Sequence, residues 1–505
     1  MGAEDKQNET KSEGELLREK LFVNKKNSWE DVQPDELAAI RRFAEDYKDF
    51  LNRGKTEREC TVGVQNLLRA RGFLDIDEAA GKGPLLPGAR VYRNNRGKSL
   101  VCGIIGRAPL SGGVNIIGAH IDSPRIDLKD NPLYEEGEFA LFDTHYYGGI
   151  KNYQWTTIPL ALHGVVIGPE GKPVEIRLGE DEGEPVFTIT DLLPHLAREQ
   201  MQKKASEFFT GEDLDILAGS QPFRDSKVKD KVKLNLLRLL HEQYGIVEQD
   251  FAGAEFEFVP AHKARDIGFD RSMIGAYGHD DRACAYAALR AILGIAAPGS
   301  LNGRDNGEAD GKADDSGGLP PEKTVVCLLS DKEETGSAGN TGAQSRLLEN
   351  FIAWLCHATG EAPSDSGFRR ILENSNMLSA DVNSAYDPNY DSVYDKKNAS
   401  FFGKGLVLSK ATGSGGKFGG SEANAEFYRK LRDILDKNKV PWQYGDLGKV
   451  DKGGGGTIAK YAANLGIEVL DCGVPVLSMH SPFEVISKID LYNTWRGYLA
   501  FLREA

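Results

Sequence analysis

Residues 114–122 read VNIIGAHID, an apolar run that stops at a histidine with an aspartate two positions on. A strand with one wet face would alternate, so a near-continuous apolar run reads as a strand buried on both faces. Working outward, the same grammar recurs in SLVCGIIG (99–106), TVVCLLSDKEETGS (324–337), NMLSADV (376–382), KGLVLSK (404–410) and VPVLSMHSPFEV (474–485). Each ends in turn residues or polar chemistry. Amphipathic stretches lie between them, such as ACAYAALRAILGIAA from Ala283 and EANAEFYRKLRDILDKN from Glu422. Upstream, Leu37, Ile40, Phe43, Tyr47 and Leu51 recur at helical spacing. Buried strands interleaved with helices predict an α/β sheet covered on both faces.

From about Pro132 to His262 the texture changes to β-rich pieces (WTTIPLALHGVVI, PVEIRLG, EPVFTITDLL), followed by a charged helical stretch around Val228–Tyr244. This reads as an insertion domain, 132–262, dividing a catalytic domain into 1–131 and 263–505. Its strand edges are hazards if left bare, so it is expected to mediate self-association rather than chemistry. Residues 298–321, rich in Gly, Asp and Pro, bury too little to offset their ordering entropy and read as a mobile surface loop.

Apolar residues at 40% and charged residues at 27% over 505 positions fit a soluble globular chain. Asp and Glu outnumber Lys and Arg 76 to 62, a net charge of −14, which argues against nucleic acid or an anionic membrane as partner. The N-terminal stretch lacks the apolar centre of a secretory signal, and six cysteines without a C-x-x-C pair suit a reducing compartment. The expected location is cytoplasmic.

The chemistry sits where the apolar runs end. His120 and Asp122 close one, Glu333 and Glu334 follow a second, Asp381 closes a third and His480 a fourth, and ligands of open α/β sheets bind outside such strand ends. Asp280 precedes a helix and adds a fifth segment. Two imidazoles and several carboxylates suit two divalent ions, one carboxylate bridging them. In H-x-D the carboxylate can accept the second ring N–H of the histidine and fix its orientation. Of the adjacent pair Glu333 and Glu334, one can ligate while the other faces a water as general base. His145, His163, His195, His241, His262, His279 and His357 carry no such context. The glycine-rich stretches 413–427 and 453–466 lack dinucleotide and P-loop spacing, and suit close approach of a peptide or a neighbouring subunit instead.

In order, GAHIDSPRIDLK (118–129), YGHDDRACAYA (277–287), EETGSAGNTGA (333–343), LSADVNSAYDPNY (378–390), GGGGTIAKY (453–461) and SMHSPFEV (478–485) resemble the aspartyl aminopeptidase and vacuolar aminopeptidase I family of di-zinc metallopeptidases. The resemblance implies a phosphorylase/hydrolase-like central mixed sheet flanked by helices, an inserted mainly β dimerisation domain, and a dodecamer. It implies two Zn2+ per subunit, with Co2+ or Mn2+ able to substitute. His120 and Asp381 would complete one site, Glu334 and His480 the other, and Asp280 would bridge. Glu333 would be the general base, Asp122 the partner of His120, and Lys410 the substrate-contacting lysine. Acid-preferring relatives carry histidines where this chain has Ser384 and Asp387, which points to neutral or apolar N-terminal residues. Outside the aminopeptidase reading stand a dinuclear-metal deacylase or carboxypeptidase using the same rim, and an idle scaffold.

Overall fold

A computed structural model describes residues 11–23, 25–168, 170–296 and 319–505. All but the last three residues of the expected mobile loop at 298–321 lie outside them.

The central sheet has nine strands. Its heart is four parallel strands in the order Val325–Ser330, Asn115–His120, Asn376–Ala380 and Glu468–Gly473. Antiparallel strands Ser99–Ile104 and Leu406–Ser409 flank them, making the sheet mixed. Asn115–His120 and Val325–Ser330 are buried along their whole length. Successive side chains of a strand point to opposite faces, and two cores result. Ile117, Val325 and Leu329 join one with Ala283, Leu289 and Leu499 of the helices His279–Ala296 and Lys488–Glu504. Ile116, Val326 and Leu328 join the other with Phe351, Ile352 and Ile371 of Leu347–Ala358 and Asp365–Glu373. The sheet is covered on both faces, as the unbroken apolar runs require. The helical spacing upstream becomes Pro34–Arg53, which buries Ile40, Phe43, Tyr47 and Leu51 against the first core.

A second, antiparallel sheet has seven strands in the order Pro173–Leu178, Leu160–Ile167, Glu255–Pro260, Arg125–Glu136, Phe139–Tyr147, Ile216–Gly219 and Thr188–Ile189. It has its own core around Phe142, Trp155, Phe256 and Phe258. The helix Lys231–Tyr244 packs against it.

A third sheet corrects one expectation. The run VPVLSMHSPFEV is not a strand of the central sheet: Pro475–Leu477 and Glu484–Ser487 form an antiparallel pair in a separate five-stranded sheet with Met273–Ala276. The intervening proline and serines turn the chain, and His480 sits in that turn at φ +64° rather than at a strand end. The two glycine-rich stretches pair with each other, Gly413 with Gly455 and Ser414 with Gly454. At Gly454 a Cβ would lie 2.4 Å from the Gly413 carbonyl oxygen, so this backbone approach excludes any side chain there.

Candidate metal centre

The carboxyl ends of the parallel strands open on one rim. His120 is the last residue of its strand, Asp381 the first after Asn376–Ala380, and Glu333–Thr335 a short 3-10 turn just beyond Val325–Ser330. Asp280 stands at the start of the helix His279–Ala296, where the Asp280–Asp281 peptide is cis. These segments and the His480 turn make two clusters that share one residue: His120, Asp280 and Asp381, and Asp280, Glu334 and His480. Within each, one donor atom per residue lies within 4.8 Å of the others. Asp280 reaches both ways, with Oδ1 3.2 Å from His120 Nε2 and Oδ2 3.1 Å from His480 Nε2. Asp381 Oδ1 is 4.0 Å from His120 Nε2, and Glu334 Oε2 is 3.4 Å from His480 Nε2. Glu333 stands outside both clusters, its Oε2 3.9 Å from His120 Nε2.

The second nitrogen of each ring is already engaged. His480 Nδ1 lies 2.7 Å from the Gly149 carbonyl, and His120 Nδ1 lies 3.0 Å from the Asp122 carbonyl and 3.3 Å from its Oδ1. A carbonyl only accepts, so both Nδ1 atoms carry a proton and both Nε2 atoms are the ones that face Asp280. Asp122 is wholly buried and does more than hold His120: its Oδ1 accepts from Glu333 N at 3.1 Å and its Oδ2 from Glu334 N at 3.2 Å.

The donor set fits zinc. Burial, reinforced by Asp280, pushes the Glu334 carboxyl well above the carboxylate range, and burial with Asp281 and Asp280 does the same to Asp381. Burial opposes charge on His120, yet Asp122 and Asp280 outweigh it and hold that imidazole well above its ordinary value. Glu334 Oε1 is buried without a hydrogen-bond partner. A packed carboxylate array of this kind calls for positive charge within it, and two nitrogens with three carboxylates supply the ligand types zinc takes.

Beside the clusters runs a cleft of about 450 Å³, lined by Gly149, Glu333, Glu334, Gly336, Ser337, Phe418, Gly419, Gly456, Thr457, Lys460, Tyr461 and His480. Both glycine-rich stretches contribute to its wall, through Phe418 and Gly419 and through Gly456, Thr457, Lys460 and Tyr461. Lys410 is not among these residues; it is exposed, with Nζ 3.5 Å from Glu422. Ser384 lies against Tyr394 at 3.2 Å, and Asp387 caps a turn by accepting from Asn389 N at 2.9 Å.

Sequence reasoning missed several supports. Glu484 accepts from Asp280 N at 3.0 Å and from His480 N at 2.7 Å, holding the backbones of two candidate ligands. Its place four residues after His480 is the mark it leaves in the sequence. Tyr147 donates its hydroxyl to Asp122 Oδ2 at 2.7 Å, and it comes from the second sheet, whose region had been expected to stand apart from the chemistry.

The chain matches the family model described as aminopeptidase I zinc metalloprotease (M18) over residues 50–502. A curated relative from Clostridium acetobutylicum, named a probable M18 family aminopeptidase 1, is 47% identical over 483 residues, covering 95% of this chain and 99% of its own. The crystal structure of an M18-family aminopeptidase from Thermotoga maritima is 41% identical with a TM-score of 0.87, covering 96% of this chain and all of that one. The aminopeptidase I structure from Clostridium acetobutylicum is 45% identical with a TM-score of 0.85, over 95% of this chain and all of that one.

Proposed function

The chain belongs to the M18 family of aminopeptidase I zinc metalloproteases, and we propose that it removes N-terminal residues from peptides at a two-zinc centre with Glu333 as general base. The observation that carries this reading is the pair of clusters sharing Asp280. His120 and Asp381 would hold one ion, Glu334 and His480 the other, and Asp280 both, with its two oxygens each turned toward one imidazole. When bound, zinc supplies Lewis acidity that brings the pKa of a water to about 7 and polarises a carbonyl. Glu333 stands outside both clusters, and unlike Asp122 it lines the cleft. Placed there, with Oε2 3.9 Å from His120 Nε2, its carboxylate would take a proton from the attacking water and return it to the leaving amine.

We further propose that the insertion expected at 132–262, whose sheet already begins with the strand Arg125–Glu136, is a dimerisation domain between the catalytic halves expected at 1–131 and 263–505, within a homo-oligomer. Exposed Leu192, Leu193, Leu196 and Met201 support a protein-covered surface there. All six cysteines are free and buried, which supports a cytoplasmic setting. No helix among the described residues is long and apolar enough to cross a membrane.

The test is Glu333→Gln with zinc measured alongside turnover. Zinc content should hold near two per chain while kcat falls about 10²–10⁴-fold, the typical worth of a general base. Near-wild-type turnover would overturn the role of Glu333. Cleavage of N-acetylated but not N-terminally free peptides would favour the deacylase reading instead.

A further inference from the structure

Three consecutive residues at the end of the strand Phe139–Tyr147 touch the centre in three places. The Tyr147 hydroxyl donates to Asp122 Oδ2 at 2.7 Å. Gly148, at φ +79°, lies so close to Glu334 that a Cβ there would meet its Cβ and Oε2 at 3.3 Å. The Gly149 carbonyl accepts from His480 Nδ1 at 2.7 Å. One short strip of the second sheet therefore reaches the surroundings of both clusters.

Tyr147 is held from behind. The Arg125 guanidinium lies 3.9 Å from the centre of its ring. That guanidinium is fixed in turn by Asp127 at 2.8 Å, Glu57 at 3.3 Å and Glu257 at 3.4 Å. The cation–π contact and this frame leave the ring little freedom. Ahead of it, Asp122 receives four donors or rings: Tyr147 Oη, Glu333 N, Glu334 N and His120 Nδ1.

We infer that Tyr147 is a positioning residue for the metal centre, acting through Asp122 on His120 and on the Glu333–Glu334 turn. The inserted sheet thereby contributes to the reaction as well as to any self-association. This inference rests on the two-zinc reading. Without the hydroxyl, Asp122 keeps its place but one oxygen loses its side-chain donor, and the orientation of His120 and of the two glutamates loosens. Outer partners of this kind typically weigh about 10–100-fold in metal affinity or activity.

The experiment uses Tyr147→Phe in the full-length protein, with zinc retention against a chelator as the first readout and separate kcat and KM as the second. Wild-type protein is titrated first, and failure to bind zinc there would overturn the two-zinc reading itself. Given zinc-binding wild type, Tyr147→Phe should lose zinc to the chelator at least tenfold more readily, with kcat reduced about tenfold and KM within about threefold. Zinc retention and kcat both within twofold of wild type would overturn the inference while leaving the two-zinc reading intact. Asp122→Asn provides the second arm. In that background Tyr147→Phe should add less than twofold to zinc loss, because its route is already cut, and independent multiplication of the two effects would show that Tyr147 does not act through Asp122.

Discussion

Lys460 and Lys410 divide the question of specificity between them. Lys460 lines the cleft, its ammonium 4.9 Å from the centre of the Tyr461 ring, and among the described residues no carboxylate pairs with it. Lys410 stands outside the lining and shares Glu422 with Lys417. An unpaired ammonium in a cleft wall is the group able to meet an anionic substrate side chain, so Lys460→Met should lower the ratio of kcat/KM for acidic over neutral aminoacyl substrates by about tenfold, or roughly 1.4 kcal/mol. Lys410→Met should leave that ratio within about twofold. A panel of aminoacyl substrates checks this, and the reverse ranking would return the contact to Lys410. His120 and Asp381 were legible because a histidine or carboxylate that ends a buried apolar run is out of place unless something binds it. Tyr147 was not, since an aromatic residue on a β-strand is ordinary and only the fold brings it to Asp122.

Between the two large sheets, a buried ionic cluster joins the helix Glu57–Ala70 and its lead-in to the strand Leu160–Ile167 and to Glu180. Lys55 Nζ meets Glu180 Oε1 at 2.6 Å and the Pro260 carbonyl at 2.6 Å, while His163 spans Glu59 at 2.8 Å and Glu180 at 3.1 Å. With carboxylates at both ring nitrogens, His163 serves as an imidazolium; burial opposes its charge, but Glu180 and Glu59 raise its pKa above 6.5. Its contribution is fully present below about 6.5 and is lost as pH rises through the folded value. Burial pushes Glu180 up, yet His163 and Lys55 hold it down to about 2. Its contribution is present above the ordinary value of 4.5 and is lost as pH falls toward about 2. Lys55, lowered by burial to about 8, stays charged throughout that window. Glu180→Gln should therefore flatten the fall of the melting temperature below pH 4.5, and it should lower stability near pH 6 by about 3–5 kcal/mol, the usual effect of breaking a buried pair. An unchanged pH profile would show that the cluster does not hold the two sheets. None of it was legible in the sequence, because its members lie in segments far apart along the chain. The elements themselves were legible wherever hydrophobic period and length agreed. The run around His480 misled because a short apolar segment has the same appearance in any sheet.

At the scale of the whole molecule, the two roles proposed for the second sheet, self-association and support of the centre through Tyr147, can be separated by experiment. Its strand Thr188–Ile189 lies at one end of the sheet order, and the irregular segment that follows it leaves Leu196 68% and Met201 70% exposed. Apolar side chains of that size in water favour a protein partner, and pairing with a second copy also covers the edge. Leu196→Asp combined with Met201→Glu places two charges on this surface without touching the strip Tyr147–Gly149. Sedimentation should then report a species smaller than the wild-type oligomer, with zinc content unchanged. An assembly of unaltered mass would move the interface elsewhere. Loss of zinc together with mass would mean that contact between subunits tensions the strip at Tyr147 and Gly149, because those residues alone link this sheet to Asp122 and His480 by the hydrogen bonds described. Unchanged zinc is the expected outcome, since Arg125 and its three carboxylates already hold Tyr147 from within one chain.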